Sequence, residues 1–161
     1  MTTPEPHQSL WNFALALYAR QGVAETCLFL QDQHDANVCL LIGLHWLDAQ
    51  HRALTLKDSS DLVERTEQWT REVIEPLRKL RRKLKLKFDD FEMDDLQDHI
   101  RQTIKQAELL AEKKILEEIE RWSLKILPGH QSFEPNLEKY LVNLGVDEDN
   151  INSLLKKFSV C

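Results

Sequence analysis

Residues 36–50 read ANVCLLIGLHWLDAQ, and this stretch decides the fold class. As a helix it places Val38, Cys39, Leu40, Leu41, Ile42, Leu44, Trp46 and Leu47 around almost its whole circumference. A helix apolar on all sides belongs at the centre of a core, with other helices packed around it. Its apolar run, Val38 to Leu47, is broken by His45 and is far short of the roughly 20 residues a membrane span needs. No membrane partner is therefore expected.

The flanking sequence supplies helices to surround it. Upstream, Ser9 suits an N-cap. Leu10, Phe13, Ala14 and Leu17 fall on one face of a helix reaching about Arg20. Gly22 tolerates the left-handed conformation that ends a helix. A second helix covers Val23 to about Gln33, with a turn at His34-Asp35. Downstream, Asp58, Ser59 or Ser60 can cap a fourth helix. Leu62, Thr66, Trp69, Val73, Leu77, Leu80 and Leu84 recur every three or four residues along it, a heptad-like seam. Pro76 lies inside that seam and predicts a kink or break. Leu84 to Phe88 runs into a turn at Asp89-Asp90. A fifth helix from about Asp94 to Leu127 carries the stripe Leu96, Ile100, Ile104, Ala107, Ala111, Ile115, Ile119, Trp122 and Ile126. Pro128-Gly129 stops it. Asn136 to Leu144 and Asn150 to Val160 read as two short helices.

The expectation is an all-α, single-domain bundle of about five to seven helices over residues 1–161. Residues 1–9 form a loose tail, 10–127 the main bundle, 128–135 a connector and 136–161 a closing helical pair. The third helix is central; the fourth and fifth are long and can pair antiparallel. Four glycines and five prolines in 161 residues are too few for a turn-rich β fold. At 42% hydrophobic and 30% charged the chain is globular in composition.

Charge is unevenly spread. The net charge is −6, which disfavours a generally basic nucleic-acid binder. Yet residues 71–87 hold eight basic residues against Glu72 and Glu75, a net of +6, leaving −12 for the rest. Arg78, Lys79, Arg81, Arg82, Lys83 and Lys85 are the candidate partner-binding residues. With Leu77, Leu80 and Leu84 pointing inward, most of these cations share an outward arc, whose field can engage an acidic protein or RNA. Only Phe88 offers an aromatic ring beside the run, which disfavours sequence-specific single-strand recognition. The plainer reading is a solvated face, or one neutralised by Glu108, Glu112, Glu117, Glu118 and Glu120 on the fifth helix.

Other candidates are weaker. Asp94, Asp95 and Asp98 have the spacing of the aspartate-rich box that holds magnesium in helical isoprenoid synthases. Acidic residues also favour helix N-termini on electrostatic grounds alone. Cys27, His34, Cys39 and His45 lack the spacings of a metal set. Three cysteines with no close pair suggest no disulfide framework, and the polar start of the chain does not resemble a leader, so a cytoplasmic protein is expected. No glycine-rich phosphate loop or nucleophile elbow occurs, and no cofactor is implied. Trp11, Trp46, Trp69 and Trp122 are spaced as core anchors. Asp32 and Asn37 flank the start of the third helix, where a cap is the expected role.

The amino-terminal half resembles a family of small proteobacterial proteins known only as a domain of unknown function. The likeness rests on Leu10-Trp11-Asn12-Phe13, Leu17-Tyr18, Gly22-Val23, Cys27-Leu28-Phe29-Leu30-Gln31-Asp32, Trp69, and residues 76–85, PLRKLRRKLK. It covers roughly Ser9 to Lys87. Where that family tends to open its third helix on Asp-Val-Asn, this chain has Asn37-Val38-Cys39. The resemblance implies a helical cytoplasmic protein and brings no activity with it. The leading expectation is a non-enzymatic interaction protein that binds an acidic partner through the basic helix face. A magnesium- and diphosphate-dependent enzyme and a structural homo-oligomer subunit are the alternatives.

Overall fold

The structure is a computed structural model that describes residues 8–129 and 134–159. Most of the expected tail, the middle of the connector and Cys161 lie outside the described residues.

Helix α1 spans Leu10–Tyr18, and Ser9 Oγ accepts from the Asn12 amide as its cap. Gly22, at φ +82°, makes the left-handed step into α2, Val23–His34. Asp35 makes a second such step at φ +54°. Helix α3 spans Val38–Ala49 and is capped by Asn37, whose Oδ1 accepts from the Leu40 amide. Helix α4, Leu56–Trp69, starts earlier than its serines suggested. Thr55 is the cap, and Thr55 and Asp58 satisfy each other's amides in a reciprocal capping box.

The rod does not break at Pro76. A π turn over Thr70–Ile74 carries α4 into α5, Glu75–Lys83. The Glu75 amide reaches back five residues to the Thr70 carbonyl, and Pro76 then occupies the first turn of α5, where its missing N–H costs least. Helix α6, Asp95–Ser123, is the long antiparallel partner of α5, and Asp94 caps it. Helices α7, Asn136–Asn143, and α8, Glu148–Ser159, follow. Counting α4, the π turn and α5 as one rod gives seven rods among the described residues, with no strand.

Helix α3 is the centre. Leu40, Leu41, Leu44 and Leu47 are buried, and α1, α2, α4, α6 and α7 all pack against it. Gly43 allows the approach of α6, since a Cβ there would lie 3.1 Å from Ile119 Cγ2. Polar ties fix the ends. Asp48 accepts from the Asn136 and Leu137 amides at the start of α7, at 2.7 and 3.1 Å. Trp46 Nε1 donates to the Gln8 carbonyl and Trp69 Nε1 to the Ala111 carbonyl, so two of the four tryptophans tie elements together.

The expected stripe on α6 holds only in part. Ala111, Ile115 and Ile119 are buried, but Leu96 and Ile100 are exposed. Helix α5 buries no residue at all. Helix α5 and the first half of α6 pack on each other as an arm at the edge of the core, which Leu77 still touches.

Candidate functional site

The site is set by a shift of one residue. On α4 the inward positions match the heptad seam: Leu62 and Thr66 are buried and Trp69 packs against the core. A π turn inserts one extra residue into the helical register. Beyond it the covered side of the rod takes in 74, 78 and 81 and loses 80, while Val73 and Leu77 still pack against the edge of the core. Ile74 is buried, the Arg78 and Arg81 side chains are only 17% and 20% exposed, and Leu80 is 45% exposed. The expected inward leucine at position 80 is thus corrected: it faces out, and two arginines take the inner side.

Those arginines converge on one carboxylate. Glu108 Oε1 lies 3.2 Å from Arg78 Nε, and Glu108 Oε2 lies 2.6 Å from Arg81 Nε. Burial alone would push Glu108 up, but hydrogen bonds from Arg81 and Arg78 outweigh it and hold the carboxyl below its ordinary range. One helical turn on, Glu112 Oε1 sits 3.5 Å from Arg78 Nη2. Here burial dominates, the Glu108 charge adds to it, and the carboxyl is pushed up. Two neighbouring carboxyls are thereby driven in opposite directions.

The basic run is consequently divided. Arg78 and Arg81 are matched internally. Lys79, Arg82, Lys83 and Lys85 have no carboxylate oxygen within 4.0 Å among the described residues. The other glutamates of α6 do not serve the run: Glu118 pairs with Lys114 and Arg121, and Glu120 accepts from the Leu10 amide.

Between the α1–α3 unit and the π turn, α5 and α6 lies a cleft of about 950 Å³. Trp11, Leu15 and Tyr18 of α1 line one side and Thr70, Arg78 and Arg81 another. Asn37 closes the junction by donating from Nδ2 to Thr70 Oγ1 at 2.8 Å, so the cap of α3 also grips the π turn. Tyr18 and Cys39 both feel the charges of Arg78 and Glu112 across the cleft. Asp32 is exposed and takes no part.

The remaining sequence candidates are placed as follows. Asp94 caps α6 by accepting from the Gln97 amide, and Asp98 pairs with Arg101 at 3.2 Å. Among the described residues no three His, Cys, Asp or Glu side chains converge as metal ligands. Cys27 and Cys39 are buried free thiols. Burial pushes Cys27 up to about 12 and Cys39 further, so neither forms a nucleophilic thiolate readily. The His45 ring packs between Phe13 and Phe158 in tilted contacts, with centroids at 5.6 and 5.0 Å. No helix among the described residues is long and apolar enough to cross a membrane.

Trp11, Tyr18 and Thr70 were not legible as cleft residues in the sequence. The one available signal was a proline inside a regular seam, which marks where a register can change.

Residues 9–119 match the model of a family described as a protein of unknown function, DUF2390. That span carries both walls of the cleft and the whole arm, while α7 and α8 lie beyond it. No curated protein and no solved structure matches the chain.

Proposed function

The chain belongs to the DUF2390 family of proteins of unknown function, and from that premise we propose that it is a non-enzymatic interaction protein whose α5–α6 arm docks an acidic protein partner. The observation that carries the reading is the set of four cations, Lys79, Arg82, Lys83 and Lys85, with no carboxylate oxygen within 4.0 Å among the described residues. Lys79, Arg82 and Lys83 stand on α5 and Lys85 in the turn after it, near exposed apolar side chains: Leu80, Leu86, Phe91, Met93, Leu96 and Ile100. Cations mixed with exposed aliphatic side chains suit an acidic protein surface with an apolar centre. RNA recognition would call for a stacking platform instead. Arg78 and Arg81 are occupied by Glu108 and leave the docking set.

The test replaces Lys79, Arg82, Lys83 and Lys85 with glutamine and compares partners recovered from lysate at low and high salt, with and without nuclease. The expected result is a protein recovered by the wild type at low salt, resistant to nuclease, and reduced about tenfold by the variant. Equal recovery by the folded variant removes the reading, and loss on nuclease treatment replaces the protein partner with RNA.

A further inference from the structure

The cleft has two unlike sides. Trp11, Ala14 and Leu15 of α1 and Ile42 of α3 give it an apolar wall, and Leu109 and Leu116 of α6 add apolar lining. Facing the wall are Arg78 and Arg81, the most covered cations of the basic run. Glu108 takes the Nε of both, which sets the plane of each guanidinium. The Nη1 group of each makes no hydrogen bond among the described residues. A guanidinium already oriented by one carboxylate keeps N–H groups for a second oxyanion and loses little freedom on binding it.

Glu112 stands in that second place only loosely. Its contact with Arg78 is 3.5 Å, longer than a hydrogen bond, and no other cation approaches it within 4.0 Å among the described residues. An arriving oxyanion can displace it. The volume, about 950 Å³, lies within the range of small-molecule sites. The π turn that forms one edge is a kind of irregularity found often at functional sites.

We infer that this cleft binds a small amphipathic anion, with its oxyanion head on the free Nη1 groups of Arg78 and Arg81 and its apolar body against Trp11, Leu15 and Leu109. Arg82 lines the cleft and also belongs to the docking set of the arm, whereas Lys79, Lys83 and Lys85 do not line the cleft, so variants at the latter separate the two readings.

The experiment is a fluorescence titration of the full chain with two probes of nearly the same shape. One is anilinonaphthalene sulfonate, an aromatic body with an anionic head. The other is phenyl-naphthylamine, the same body without the head. Arg81→Gln is expected to weaken the sulfonate probe about tenfold and the neutral probe less than about twofold. Leu15→Trp fills the apolar wall at a half-exposed position and is expected to weaken both about fivefold or more, with an unchanged thermal melt. Lys83→Gln combined with Lys85→Gln is expected to change neither. Displacement by decanoate or by decyl phosphate supports the inference and tells which head the site prefers. The inference is overturned by sulfonate binding that survives both cleft substitutions, by an equal loss of both probes in Arg81→Gln, or by displacement with neither competitor. Loss only in the Lys83/Lys85 variant would overturn it too, and would assign the probe to the arm.

Discussion

Glu108 is 6% exposed, and a carboxylate so covered stays ionised only because two guanidiniums reach it. Glu108→Gln leaves Arg78 and Arg81 partly covered without their anion. A loss on the order of 3 kcal/mol in chemical denaturation is expected. Glu112→Gln, which breaks a single long contact, should cost under about 1 kcal/mol in the same assay. If the two substitutions cost the same, Glu108 is not the hub described above. Asn37 is a second hub, because one side chain caps α3 and donates to Thr70. Asn37→Asp keeps the cap and loses the donor, whereas Asn37→Ala loses both. Losses of about 1 and about 2 kcal/mol respectively are expected in thermal or denaturant melts. The cap was legible from the sequence, because Asn before an apolar run has a local role. The bond to Thr70 was not, because it joins residues 33 positions apart.

The same division runs through the helices. Ends and turns followed local chemistry: Ser9, Gly22, Asn37 and Asp94 sit where their side chains or backbone freedom demand. The seam of α4 and α5 did not, because a helical repeat read along a sequence assumes an unbroken register. One additional residue in the π turn rotates everything after it by about 100°, the angle per residue of an α-helix. Two substitutions on the same rod separate the readings. Ile74→Ala removes a fully buried side chain and should cost about 2–4 kcal/mol. Leu80→Lys, at a position 45% exposed, should change stability by less than about 1 kcal/mol. An unbroken heptad requires the reverse order, so denaturation midpoints of the two variants decide the matter.

For the molecule as a whole, acid sensitivity should begin at His45. Burial lowers its pKa, and the charge of Arg20 lowers it further. A base held below its unfolded value lets the unfolded state bind protons first. Full stability is therefore present above about pH 6.5 and is lost as pH falls through that value. His45→Gln should flatten the fall that begins below about pH 6.5 relative to wild type, by at most about 1.4 kcal/mol per pH unit. Parallel curves for the two proteins would mean that His45 is not the sensor. Glu108, held low by its arginines, loses its contribution only in stronger acid. The sequence by itself determined that this chain is helical, that α3 lies at the centre and where most helices begin, because hydrophobic periodicity and capping act over a few residues. Only the tertiary structure decided which cations meet carboxylates and which stay free, and that a cleft opens beside them. Those outcomes depend on the rotation of α5 against α6, and that angle is set by packing between segments distant in the chain.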